Sequence, residues 1–165
     1  MSENIYEPPT SDVRVESTEQ NELASRWKRL WASLLDSLIL MLIILPVMYF
    51  TGGFEGVSAG VQPSMGYSLL MGLFGLIVFV LVNGKLLVDN GQTIGKKILG
   101  IKIITDNGEL PTLKEHLLKR YAVFFLPGQI PLVGQIFSIV NVVFIFGKQK
   151  RCIHDIAGGT KVVTA

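Results

Sequence analysis

One carboxylate, Asp36, sits where a carboxylate is costly. It lies seven residues after Arg29, in a run from residue 30 to 50 that holds no other charge. About 20 apolar residues in helical form cross a bilayer core. An ionised group inside such a segment costs roughly 2.5–3.5 kcal/mol near its centre and less towards an end. Asp36 therefore needs compensation. A spacing of seven places Arg29 and Asp36 on one helical stripe, but about 10 Å apart along the axis, too far for a direct ion pair. Ala32 and Ser33, between them, are small enough to let a neighbouring segment approach closely. Each charge is thus expected to meet a partner from elsewhere in the chain. Two roles are open for Asp36: a titrating site for ions or protons, or a structural pair that fixes helix packing while Arg29 snorkels to lipid phosphates.

Arg120 is the natural partner for Asp36. It heads the apolar stretch 121–126, and a helix starting near Thr112 places it two turns in, with His116 on the same face. The competing reading is an amphipathic helix held on anionic head groups by Lys114, Lys119 and Arg120. Two other motifs are weaker. Gly91-Gln92-Thr93-Ile94-Gly95-Lys96-Lys97 has a superficial likeness to a phosphate-binding loop, yet it is one residue short between glycines and carries Lys97 where a hydroxyl should bind magnesium. Nucleotide binding is rejected. His154-Asp155 has no second His or Cys cluster beside it, so no metal site is expected. Neither a nucleophile–base–acid set nor a carboxylate pair at catalytic spacing is present, so the chain does not read as an enzyme and no cofactor is expected.

The elements that position these residues follow from charge patterning. Apolar residues make up 49% of the chain, and the runs 30–50, 56–84 and 121–147 hold a single charge between them. That pattern marks an integral membrane protein. Arg26, Lys28 and Arg29 flank the first span; the loop 51–66 has no Lys or Arg; the second span, roughly 67–88, returns to a region holding Lys85, Lys96, Lys97, Lys102, Lys114, Lys119 and Arg120. The positive-inside rule puts the N-terminus and this central region in the cytoplasm. Asn83 is a polar group near the inner end of the second span. A single crossing over 121–147 would place Lys148, Lys150 and Arg151 outside. It would also separate two β-branched segments, 100–105 and 159–164, that look able to pair. Pro127-Gly128-Gln129-Ile130-Pro131 should break the helix. The expected fold is therefore all-α and membrane-embedded: two full transmembrane helices plus a Pro-broken helical hairpin (113–126 and 132–146), with a small cytoplasmic β pairing. A conventional third span is the alternative. Residues 1–22 carry six acidic residues against Arg14 and read as a disordered tail, leaving 23–165 as the membrane domain. One cysteine, Cys152, excludes an internal disulfide.

Four ordered motifs together resemble the RDD family of small bacterial membrane proteins. They are Arg29 with Ala32 and Asp36; the loop 91–97 with Gly100; Arg120 ahead of the last hydrophobic region; and His154-Asp155 followed by Gly159-Thr160 and Val162-Val163. The family's usual phenylalanine near the start is replaced by Trp27, and Cys152-Ile153 precede His154. The resemblance implies a bacterial inner-membrane location and makes Asp155 the second signature aspartate. It also implies transport, with sodium/proton antiport proposed for some members. Two function classes follow. The first is a small cation/proton exchanger built on Arg29, Asp36, Arg120 and Asp155, with Ser33, Asn83, His116 and His154 as secondary polar groups. The second is a non-transporting membrane scaffold or interaction protein whose buried charges are structural and whose cytoplasmic face, 91–105 with 155–164, binds a partner. The expected partners are the lipid bilayer, a second copy of the chain and, for the exchanger, a small cation; nucleic acid is not among them.

Overall fold

A computed structural model describes residues 22–127, 133–148 and 150–165. Residues 1–21 and 128–132 lie outside these, so the expected disordered tail and most of the expected Pro-Gly break are not part of the description.

Two long helices dominate. Helix α1 spans Arg26–Phe50 and α2 spans Met65–Asn90, each long and apolar enough to cross a membrane. At 1.5 Å per residue, 25 residues reach about 37 Å, more than the roughly 30 Å of a hydrocarbon core. Their surfaces are inverted relative to a soluble protein: Leu42, Phe50 and Leu81 are all more than three-quarters exposed. The buried residues of α1 are Arg29, Ala32 and Asp36, a single stripe at spacings of three and four. In α2 they are Gly75, Val78, Phe79, Asn83 and Leu87. The helices are joined far from this charged end, where Thr51 and Tyr67 share a hydrogen bond of 2.8 Å between their hydroxyls.

Beyond α2 the chain builds a small cap on the charged ends of the spans. Gly91 ends the helix in the left-handed conformation, at φ 66°. The five-residue helix α3, Ile94–Ile98, follows immediately, and strand β1, Ile101–Thr105, follows that. A π-helical turn, Leu113–Leu117, runs into α4, Leu118–Phe125; α5 covers Val133–Val143 and tightens into a 3₁₀ turn at Phe144–Phe146. The short α6, Ile153–Ala157, leads into β2, Thr160–Thr164. The strands pair antiparallel from Ile101 opposite Thr164 to Thr105 opposite Thr160, which is the expected pairing of 100–105 with 159–164. Chain from before α1 joins them: Leu23 bridges Val163, and the Ala24 N–H donates to the Val162 carbonyl at 3.0 Å. Ile101, Ile103, Val162, Ala24, Ala32, Leu87 and Leu117 form the core beneath the sheet.

This pairing settles the topology of the described residues. The start of α1, the end of α2 and the C-terminal strand all lie on one side of the spans. Among the described residues no continuous third span forms, because α4 stops at Phe125 and α5 has only 11 residues. The helix expected over 113–126 departs from regularity in its first turn, which is π-helical.

The interface between α1 and α3 depends on a glycine. A Cβ on Gly95 would collide with the Ala32 carbonyl oxygen and come within 2.9 Å of Asp36 Oδ1. Gly95→Ala should therefore force α3 off α1 and destabilise the protein by about 1–3 kcal/mol. Unfolding of purified protein in detergent micelles measures this, and an unchanged midpoint would refute the close packing.

Candidate functional site

Two charge clusters occupy the junction between the spans and the cap. The first is built on Asp36. Its Oδ1 accepts the Gly95 N–H at 2.8 Å, its Oδ2 accepts the Thr93 hydroxyl at 2.5 Å, and the Lys96 ammonium stands 3.8 Å away. The local reason is helix capping. A helix start leaves its first N–H groups unpaired and carries partial positive charge. Thr93 is the N-cap of α3 and accepts the Lys96 N–H, while the Asn83 side chain takes the Ile94 N–H at 2.9 Å. The three N–H groups of the first turn are thus held by the cap residue and by one side chain from each span.

The second cluster is built on Asp155, which is fully buried. Arg29 donates to its Oδ2 and Arg120 to its Oδ1. The Cys152 N–H also donates to Oδ2, at 2.9 Å, so the carboxylate caps its own helix. Arg29 further donates to the Lys150 carbonyl, and Arg120 to the Thr160 hydroxyl at 2.7 Å. His154 Nε2 lies 3.4 Å from Asp155, and its Nδ1 shares a hydrogen bond with the Asn141 side chain on α5. Close approach of α4 to α6 requires Gly158, where a Cβ would lie 2.9 Å from that of Arg120.

These contacts correct the expected pairing. Arg120 belongs to Asp155 and not to Asp36, because α3 supplies Asp36 with a hydroxyl, an amide and an ammonium. Arg29 finds its partner from elsewhere in the chain as expected, and it is a carboxylate instead of lipid phosphate. Ser33 donates back to the Arg29 carbonyl at 3.1 Å. His116 shares a hydrogen bond with Thr112 at 3.0 Å at an exposed position and takes no part in either cluster. Thr93 and Lys96 stand in the loop motif 91–97, but nothing in the sequence ties that loop to Asp36, and Asn141 carries no signal of its own. Thr93 before Ile94 does carry a readable signal, a hydroxyl ahead of a helix start.

The electrostatics follow from burial. Desolvation pushes the Asp155 carboxyl up, but Arg120 and Arg29 together outweigh it and hold the group well below the usual carboxylate range. Burial, then Arg120, pushes His154 well below its ordinary value, so it is neutral. Burial raises the Cys152 thiol to about 11. Burial lowers Lys96 to about 8 against the pull of Asp36. Cys152, His154 and Asp155 place ligand atoms within 4.8 Å of one another. A metal cation there would have to displace two guanidiniums from Asp155 and deprotonate a resistant thiol, so the donor set is a poor one for metal. A cavity of about 110 Å³ lies between the clusters, lined by Asp36, Thr93 and Lys96 on one side and by Arg29, Arg120 and His154 on the other.

Asp155→Asn should strand two buried guanidiniums and cost about 3–5 kcal/mol. Acid should act in two stages. Unfolding lets His154 take up a proton below about pH 6.5 and Asp155 below about 3.9, so stability falls as pH falls through each value. Unfolding midpoints measured from pH 8 to 4 should decline, and His154→Gln should flatten the part between pH 7 and 5.

A family model described as the RDD family matches residues 23–159. The chain is 34% identical over 89 residues to "Uncharacterized protein YxaI" of Bacillus subtilis (strain 168), covering 53% of this chain and 54% of that protein. It thus spans about half the length of that relative. No solved structure matches. The matched residues contain both charge clusters and both long helices, and the chain belongs to the RDD family.

Proposed function

We propose that this chain is a non-transporting membrane scaffold, in which the buried charges lock a small β-containing cap onto the ends of two spans. One observation carries the reading: both signature carboxylates are already occupied by protein donors. Asp36 holds the Thr93 hydroxyl and the Gly95 N–H, and Asp155 holds Arg29, Arg120 and the Cys152 N–H. A carboxylate that binds and releases a cation needs free lone pairs in a site of negative potential. Here each cation would have to break an α3 cap or a double ion pair on every cycle. The basic residues at 26–29 and after the second span support a bacterial inner-membrane placement with both ends cytoplasmic.

A second reading, cation/proton exchange at Asp36, is favoured by one contact. Lys96 sits 3.8 Å from Asp36, and burial brings its ammonium to about 8, near enough to neutrality to trade protons. Proton flux in proteoliposomes, followed with a pH-sensitive dye during pulses of sodium, lithium or potassium, separates the two. The scaffold reading expects flux equal to that of protein-free liposomes. Cation-dependent flux that disappears in Asp36→Asn, with monodisperse elution retained, would overturn it and place Asp36 in a transport path.

A further inference from the structure

A groove of about 450 Å³ opens beside the start of α1, and Glu22, Arg26, Trp27, Lys28, Phe146 and Lys150 line it. Three cations thus share it with one carboxylate, for a net charge of +2. Among the described residues neither the Lys28 nor the Lys150 ammonium has a carboxylate partner. The surroundings are fixed. Arg26 donates to the Ile145 and Gly147 carbonyls at 3.3 Å each, which ties α1 to the turn after α5. Lys150 is positioned by the Asp155 clamp, because Arg29 donates to its carbonyl. Its backbone sits at φ 50°, a left-handed conformation that a residue with a side chain rarely adopts.

The apolar part of the groove continues down the span. Trp27 and Phe146 pack edge to face with ring centres 6.5 Å apart, yet they remain 62% and 50% exposed. Trp27 also heads a stripe on α1. Trp31, Leu34, Leu38, Leu42 and Leu45 follow at spacings of three and four, hence on one face, and are 44–77% exposed. Tryptophans at the end of a span sit at head-group level, with the aliphatic residues beyond them at acyl-chain depth. An occupant that satisfies both halves brings negative charge to the lysines and a hydrocarbon chain to the stripe. A free anion meets only the first demand, and a zwitterionic lipid leaves the excess charge in place.

We propose that this groove is a binding site for an anionic phospholipid, with the phosphate and head group between Lys28 and Lys150 and an acyl chain along the α1 stripe. The volume lies within the range of small-molecule sites. The site rests on the membrane placement of α1 and is the same for a scaffold as for an exchanger.

Trp27 and Trp31 are the two tryptophans of the chain, so Trp31→Phe leaves Trp27 as a lone reporter in the groove. The full chain with this change would be reconstituted in phosphatidylcholine liposomes, with incorporation checked by flotation. Phosphatidylglycerol or phosphatidylcholine brominated on its acyl chains would then be supplied at increasing mole fraction, since bromine quenches an indole it touches. Quenching of Trp27 should reach half-saturation at about fivefold lower mole fraction of the anionic lipid, the factor that one lysine near a phosphate contributes. Lys28→Gln with Lys150→Gln should remove most of that preference and leave quenching by brominated phosphatidylcholine unchanged. Lys114→Gln with Lys119→Gln, two exposed lysines outside the groove, should keep the preference. Equal quenching by the two lipids would overturn the site. An equal loss of preference in the control pair would also overturn it, by showing diffuse surface charge. A preference that emerges only after Glu16→Gln and Glu19→Gln would assign the groove to the acidic residues ahead of Glu22 and overturn the lipid as its occupant.

Discussion

The Asp155 carboxylate, fully buried between Arg29 and Arg120, is the constraint on which the rest of the molecule depends. Its two partners come from opposite parts of the chain, 126 and 35 residues away. A lone carboxylate or guanidinium in this setting is prohibitively desolvated, so neither arginine nor the aspartate can occupy its place unless the others do. That mutual dependence draws the start of α1, the helix α4 and the C-terminal α6 to one point. The β1–β2 ladder then forms beside it, and the backbone ahead of α1 adds to the ladder's far edge. Charges that are costly individually thus make this arrangement of the cap hard to replace with another.

Asp36 does the same for the other half of the cap by a different means. Its partners are mainly helix-start donors, so the long apolar helix α1 itself completes α3, a helix too short to be stable alone. Asn83 adds the matching contact from α2. The two spans are therefore tied together through the cap at their charged ends, while Gly75, whose Cβ would stand 3.3 Å from Ile44, lets their apolar faces approach. The cavity between the two clusters is a consequence of this layout: two rigid charged assemblies meet without filling the space between them.

Much of this is legible in the residues. The uncharged runs give both spans, and β-branched character at 100–105 and 159–164 gives the strand pairing. The cost of an ion in an apolar segment picks out Asp36 and the need for a partner elsewhere. The partner itself is not legible, because pairing depends on which element the tertiary fold packs against α1. The sequence offers Arg120 as the visible cation near an apolar helix, while the true donors to Asp36 lie on α3. Five-residue helices such as α3 and α6 are shorter than the window in which helical periodicity can be read; the Thr93 hydroxyl is a readable hint of the first, while Cys152 is not a usual cap residue. The membership of Asp155 in the site came from the resemblance to a family, since nothing in its immediate neighbours distinguishes a clamp from a surface turn.

The account rests most directly on who pairs with whom, and double-mutant cycles read that out. Unfolding free energies in mixed micelles would be measured for Arg29→Gln, Asp155→Asn and their combination, beside Arg120→Gln, Asp36→Asn and their combination. The clamp predicts a coupling above about 1.5 kcal/mol for Arg29 with Asp155, as for other close buried charge pairs. For Arg120 with Asp36 it predicts additivity within about 0.5 kcal/mol. Strong coupling in the second cycle and additivity in the first would contradict it.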